Sequence, residues 1–234
     1  MTPRSLSSLA LVTVLCAACN GTKPRSERGS PTPEIRQGEA SGADHGFPDP
    51  QTYAQHLDDP GRDQWQKPKE VLRLLECLPG MTAVDLGAGT GYFIDYLSQA
   101  VGPEGRVLAL DPDRSMIDAL YERIAREGLQ NVRPEKVAPD DPALALRSVD
   151  RVLVVNTWHH ISKRVGYARK LLSALRPGGL LLIVDFTMDS PEGPPPHRRL
   201  TRDTVLRELE TAGFAAAVIE ESLPYQYAVA GRAP

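Results

Sequence analysis

The chain has 234 residues, 41% of them hydrophobic, enough for one α/β domain with a buried core plus an extension. Its formal net charge is −3, from 27 basic and 30 acidic side chains. With both signs interspersed and only 6% aromatic residues, neither the basic face of a nucleic-acid binder nor a base-stacking platform is expected.

The N-terminus opens with a single basic side chain, Arg4, followed by the apolar run LALVTVLCAAC at 9–19. This run is too short to cross a bilayer as a helix. It has the charged, apolar and small-residue regions of a secretory signal, so residues 1–19 are expected to be a signal peptide. Ala17-Ala18-Cys19 is similar to the cleavage end of a bacterial lipoprotein signal, which implies a lipid on Cys19 and a membrane-anchored protein in the cell envelope. Cys16 stands where such signals usually carry Leu, and the alternatives are an ordinary signal or an unused leader on a cytoplasmic protein. Residues 20–60 are rich in Pro, Gly, Ser, Asp and Arg, lack apolar periodicity, and are expected to be a disordered linker. The remaining domain, 61–234, then holds a single thiol, Cys77, so neither a disulfide framework nor a thiolate metal site is expected there.

Along that domain the pattern alternates. Apolar spacing predicts a helix over 66–78 with Pro68 in its first turn, ended by Pro79-Gly80. A short buried strand follows at 82–85, then a helix over 91–101 closed by Gly102-Pro103. A second strand is expected at 106–110. Asp113 is placed to cap a helix over 114–127, ended by Gly128. Strands are expected at 132–137 and at the strongly apolar 149–155. A helix over 163–175 stops before Pro177-Gly178-Gly179, and strand five follows at 180–186. After a stiff Pro-rich loop, 191–196, Thr201 opens a helix ending at Gly213, and segments 216–220 and 225–230 close the chain as a hairpin. Strict β-α alternation argues for a mainly parallel sheet with helices on both faces, and ligands in such sheets sit beyond the carboxyl ends of the strands.

The sequence at that place is Asp85-Leu86-Gly87-Ala88-Gly89-Thr90-Gly91. Its glycines allow a tight turn and close ligand approach. A dinucleotide loop needs G-x-G-x-x-G, and its third glycine would fall at Tyr92, which argues against a nucleotide-dependent oxidoreductase. Together, VDLGAGTGYF (84–93), ALDPDRSMI (109–117), LRPGGLLLIVDF (175–186) and TAGF (211–214) resemble the class I S-adenosylmethionine (SAM)-dependent methyltransferases, in the small-molecule, ubiquinone/menaquinone-biosynthesis style. The resemblance implies a Rossmann-like, doubly wound seven-stranded sheet of order 3-2-1-4-5-7-6 with strand 7 antiparallel. It implies SAM as cofactor, with Gly87, Gly89 and Gly91 bordering its methionine part, Asp85 orienting its ammonium and Asp111 on its ribose hydroxyls. A carboxylate suits two hydroxyls because it can accept both; the alternative for Asp111 is a helix-capping acid. Met116 either packs on the adenine or belongs to the core. Asp140, with Asp141 as the alternative, takes the place of the acid on the adenine amino group, unless 138–142 is a plain turn.

Strand four ends in Asn156-Thr157-Trp158-His159-His160, where the resemblance places the transferable methyl. Asn156 is therefore a cofactor-side candidate and Trp158 a wall of the methyl pocket. His159 and His160 are candidate general bases, since histidine titrates near neutrality. On an extended segment the two would point to opposite sides, and simple local packing is the alternative for both. The Asn/Asp-Pro-Pro-aromatic pattern of DNA and protein amine methylases is absent, so a small-molecule acceptor is expected. Arsenite, whose methylases use several thiolates, does not suit a domain with Cys77 alone. Tyr225, Gln226, Tyr227 and the 191–197 loop are expected to border the acceptor. Asp63, Trp65 and Lys67 form either a lid or a plain surface helix. A second reading is a non-catalytic SAM-binding or scaffold lipoprotein, motivated by a leader that would carry the domain away from cytoplasmic SAM.

Overall fold

A computed structural model describes residues 61–234; the expected leader and linker lie outside the described residues. Seven strands, β1 (Thr82–Leu86), β2 (Arg106–Asp111), β3 (Val132–Lys136), β4 (Val149–Val155), β5 (Leu175–Phe186), β6 (Ala215–Ile219) and β7 (Gln226–Arg232), form one sheet of order β3-β2-β1-β4-β5-β7-β6. The first five are parallel, and β7 runs antiparallel to both β5 and β6. The arrangement is the Rossmann-like one expected from the sequence. Strand order reverses between β1 and β4, which opens a crevice at their carboxyl ends.

The central strands are apolar on both sides because both faces are covered. Val84, Val152, Val154, Leu181 and Ile183 share one cluster with α5 (Arg164–Ala174) and α6 (Arg202–Ala212). Ala83, Leu153, Val155, Leu182 and Val184 point the other way. They pack with α2 (Pro68–Leu75), α3 (Ile94–Val101) and α4 (Arg114–Glu127). Asp113 caps α4 by accepting from the Ser115 amide, and Thr201 caps α6 through the Thr204 amide. Pro134 sits inside β3, an edge strand, where a missing ladder donor is tolerated.

Three boundaries differ from the sequence pattern. The helix expected over 66–78 is two helices, α1 (Arg62–Gln66) and α2, separated by Lys67 in the left-handed region at φ 44°. Proline at 68 disfavours the right-handed helical conformation for the residue before it, so Pro68 starts a new helix instead of continuing one. Helix α3 begins at Ile94, because Gly91 has φ 89° and cannot be helical. Strand β5 begins at Leu175, opposite Val149. The register then shifts so that Leu180 faces Arg151, with Pro177-Gly178-Gly179 accommodated in the irregularity.

Candidate cofactor and acceptor site

The loop after β1 is a run of left-handed glycines, with φ 75° at Gly87, 55° at Gly89 and 89° at Gly91. The amides of Gly87 and Ala88 both donate to the Leu110 carbonyl at 2.8 and 3.1 Å, which ties the loop to the end of β2. A methyl group on Gly87 would lie 2.3 Å from Thr157 Oγ1. The turn after β4 is thus seated directly on the glycine loop.

Two carboxylates stand at the ends of neighbouring strands. Asp85, on β1, is 3% exposed. Burial pushes its carboxyl up to about 7, with nearby Arg62 opposing the rise and Asp111 adding to it. Asp111, on β2, is also buried, and burial raises its carboxyl too, against the opposing hydrogen bonds from the Asp113 and Gly89 amides. Its Oδ2 accepts from the Gly89 amide at 3.0 Å and its Oδ1 from the Asp113 amide at 2.9 Å. It therefore braces both the glycine loop and the entry to α4, whose capping residue is Asp113. Met116 is buried on the first turn of α4.

Beyond β3, Asp141 is committed: its Oδ2 pairs with Lys170 Nζ at 2.9 Å and its Oδ1 accepts from the Ala143 amide. Asp140 gives only its backbone carbonyl to Lys170, which leaves its exposed carboxylate as the more available of the two.

Asn156 adopts φ 53°, and its amide closes a ring with two others. Gln66 Nε2 donates to Gln226 Oε1 at 2.7 Å, Gln226 Nε2 to Asn156 Oδ1 at 2.6 Å, and Asn156 Nδ2 to Gln66 Oε1 at 3.3 Å. Asn156 thus ties α1, β4 and β7 together. Gln226, expected at the acceptor, is likewise buried in this ring.

The two histidines are not extended. Residues Trp158–His160 form a 3-10 turn, which places the imidazoles side by side with ring centroids 4.2 Å apart. The expectation of opposite directions fails because the chain turns immediately after the strand. His159 Nδ1 lies 2.9 Å from Asp185 Oδ1, and the His159 amide donates to Asp185 Oδ2 at 3.3 Å. The side chains are 4% and 2% exposed; His160 is exposed. Trp158 does not wall a pocket. It is fully buried in the core on the α5–α6 side, and its Nε1 donates to Glu208 at 2.9 Å.

A methyltransferase domain family matches residues 84–181. A SAM-dependent methyltransferase from Aquifex aeolicus has a similar structure, with a TM-score of 0.75 and 30% identity over 80% of this chain and 99% of that one. The chain belongs to the SAM-dependent methyltransferase family. It is also 28% identical to a ubiquinone/menaquinone biosynthesis C-methyltransferase of Shewanella sediminis, over 47% of this chain and 44% of that protein. It is 29% identical to an arsenite methyltransferase of Halobacterium salinarum, over 48% of this chain and 29% of that protein. The chain thus spans less than half the length of these curated relatives.

The residues present fit the family's cofactor, SAM. Two buried acids whose charged forms are disfavoured by burial favour a ligand that brings cationic charge to one and hydroxyl donors to the other. The glycine loop offers a surface without side chains between them. The same electrostatics carry a stability prediction for this methyltransferase domain without ligand. A carboxyl whose folded value lies above its unfolded one stabilises the fold below the unfolded value and loses that contribution as pH rises through the folded one. Urea denaturation midpoints are therefore expected to fall between about pH 4 and pH 7, and Asp85→Asn should flatten part of that fall. An identical pH profile in the variant would show that Asp85 does not titrate there.

Four functional candidates carry no strong sequence signal. Asp185 shows only as a lone acid in an apolar strand. Arg62 and Gln66 lie ahead of the family match. Arg199 gathers the carbonyls of Pro194, Thr187, Ser190 and Glu192 at 2.7 to 3.0 Å, which shapes the loop after β5 expected to border the acceptor. The segment Asp63–Lys67 is packed on the domain. Asp63 accepts from Tyr92 and Tyr96, Trp65 lies 6.1 Å from both Phe186 and Tyr225, and Lys67 Nζ donates to the Ser222 carbonyl.

Proposed function

We propose that the protein transfers the methyl group of SAM to a small-molecule acceptor, with His159 as the base that takes the acceptor's proton. The observation that supports this reading is the seating of the post-β4 turn on the glycine loop, Thr157 against Gly87, two residues before His159, whose Nδ1 lies 2.9 Å from Asp185 Oδ1. In this reading Asp85 meets the cofactor's ammonium, Asp111 its ribose hydroxyls and Asp140 its adenine amino group, while Gly87, Gly89 and Gly91 border its methionine part. SAM supplies an already activated methyl, so the protein's part is to align the acceptor in line and manage one proton.

Asp185 favours the Nδ1–H tautomer of His159, because a carboxylate accepts from that nitrogen. The lone pair is then on Nε2. The exposed His160 stacks on this ring and is the second candidate base. The small-molecule quinone-type relatives support the acceptor class. Arsenite is not supported. Cys77 is the one cysteine among the described residues, it lies near Asp150 and Arg151 at the opposite end of the strands, and burial pushes its thiol up to about 11. Membrane attachment through Cys19 is part of the proposal and rests on the leader's sequence.

The test uses methyl-labelled SAM and a panel of phenols, enols, amines and thiols. The expected result is label transfer to at least one member. His159→Asn should slow it by roughly 100-fold, the usual scale of general-base catalysis. Cofactor binding with no transfer to any member would return the domain to a non-catalytic, SAM-binding role. Undiminished transfer by the His159 variant would remove the base assignment and leave the His159–Asp185 pair as a clamp on the turn.

A further inference from the structure

A short 3-10 turn has poorer hydrogen-bond geometry than an α-helix and little internal support. The turn Trp158–His160 is closed by the His160 amide on the Thr157 carbonyl at 2.9 Å and the Ile161 amide on the Trp158 carbonyl at 3.2 Å. The direction in which it presents His159 is therefore set by what grips it from outside. We propose that Glu208, on α6, is a positioning residue for His159: with Arg164 it clamps the turn on both sides and keeps the imidazole on Asp185. The proposal rests on the assignment of His159 as the base.

Both oxygens of Glu208 are engaged. Its Oε2 accepts from Trp158 Nε1 at 2.9 Å and its Oε1 from Arg164 Nε at 2.8 Å. Arg164, the first residue of α5, donates through Nη1 to the Ile161 carbonyl at 3.0 Å. One carboxylate thus holds Trp158 directly and Ile161 through a single guanidinium, and His159 and His160 are the two residues in between. The clamp is mostly out of water: Trp158 is fully buried, and the Arg164 and Glu208 side chains are 24% and 14% exposed. A buried indole N–H seeks an acceptor, and a guanidinium on a carboxylate is a directional, charge-assisted contact. Asp185 and Glu208 both lie near Tyr227, which shares the core cluster of Trp158 and faces Asp185 across β5 and β7. The turn is therefore fastened to β5 and to α6 on either side of one buried ring.

Asp185 and Glu208 do different things to the turn. Asp185 takes the ring and the amide of His159, so both of its contacts with the turn fall on that one residue. The backbone can still pivot about it. Trp158 and Ile161 are the points on either side where pivoting is stopped, and both holds pass through Glu208. Gln at this position has one acceptor oxygen and turns its NH2 toward one of the two donors, so it releases one side of the clamp while nearly keeping the shape. Support for α6 alone is the competing role for Glu208.

Nitrogen–proton correlation spectra of the imidazoles, recorded on the full 234-residue chain, separate the two roles. The chain has five histidines, and His159→Asn identifies the signals of His159. At a pH where the ring is neutral, wild-type protein should show the Nδ1–H tautomer that Asp185 selects. Glu208→Gln should move it toward the tautomer mixture of a free imidazole. So should Arg164→Leu combined with Glu208→Leu, which leaves no charge buried alone and carries the comparison where Glu208→Gln does not fold. Leu209→Ala, a fully buried change on the same helix, should lower Tm without moving the tautomer. Label transfer from SAM is the second readout. Glu208→Gln should slow it by roughly 10- to 100-fold in otherwise wild-type protein, the scale of a small misplacement of a reacting group, but by less than about threefold in His159→Asn. An unchanged tautomer, an undiminished rate, or an equal loss in both backgrounds would each overturn the proposal. Full transfer by His159→Asn, or none by the wild type, would remove the base assignment and the proposal with it, a failure visible without any change at Glu208.

Discussion

Asp111→Ala is expected to lower the affinity for S-adenosylhomocysteine by at least roughly 100-fold, because hydrogen bonds to a charged acceptor are worth about 1.5–3 kcal/mol each and two to the ribose hydroxyls would be lost together. Ligand contact is only part of the effect. The same carboxylate accepts from the Gly89 and Asp113 amides, so its removal frees two loop donors at the moment the cofactor must be received. Asn is not a conservative replacement here. An amide has a single acceptor oxygen, and its NH2 would be turned toward one of the two backbone N–H groups. Asp111→Asn should therefore bind nearly as poorly as Ala. The measurement is calorimetric titration alongside a thermal melt of the unliganded variants. A folded Asp111→Ala variant with wild-type affinity would leave Asp111 as a brace for the loop and remove it from the ribose.

Gly87→Ala carries the second large effect, on the fold and the site together. The added methyl would lie 2.3 Å from Thr157 Oγ1, 2.4 Å from its Cγ2 and 2.9 Å from its Cβ. Thr157 cannot simply rotate away without loss, since its hydroxyl donates to the Val155 carbonyl at 3.0 Å. The backbone adds strain of its own, as Gly87 has φ 75°. A left-handed L-residue costs about 1–2 kcal/mol and overpacking about 1–3 kcal/mol. A combined cost of about 3 kcal/mol corresponds to a fall in Tm of roughly 10 °C for a domain of this size. Cofactor binding should be lost as well, because relief of the clash moves either the loop or the turn bearing His159. Adding Thr157→Gly removes the colliding side chain entirely. The double variant should recover the clash component and keep the strain, a non-additivity measurable in a double-mutant cycle. Purely additive losses would show that the contact is not what makes Gly87 necessary.

Much of this arrangement is legible along the chain because it is local. Periods of two and 3.6 residues, Pro and Gly stops, and the Asp113 and Thr201 caps each depend on a few neighbouring residues. The spacing of Gly87, Gly89 and Gly91, with Tyr92 where a dinucleotide loop would need glycine, separates a methyltransferase loop from its commonest look-alike. Asp111 stands out because it ends a strand recognisable by its pattern. Lys67 was legible too, in principle: the residue before Pro68 is a poor place to continue a helix.

The acceptor side could not be read in this way. His159 and His160 look like alternating residues of an extended segment, and only the 3-10 turn after β4 brings their rings together. Trp158 was placed by sequence position at the methyl pocket, but the same turn directs it into the core and onto Glu208. Asp185 meets His159 across 26 residues, and the ring of Gln66, Asn156 and Gln226 joins positions 70 to 160 apart. Such contacts are fixed by strand order and crossover geometry, which no short window contains. The sequence alone determined the fold class, the glycine loop and the two carboxylates at neighbouring strand ends, since these follow from short-range spacing and backbone conformational preference. The tertiary structure decided which histidine has a carboxylate behind it, that Asn156 is a tie, and that Arg62 lies against the loop, because those facts depend on which distant strand ends the sheet brings side by side.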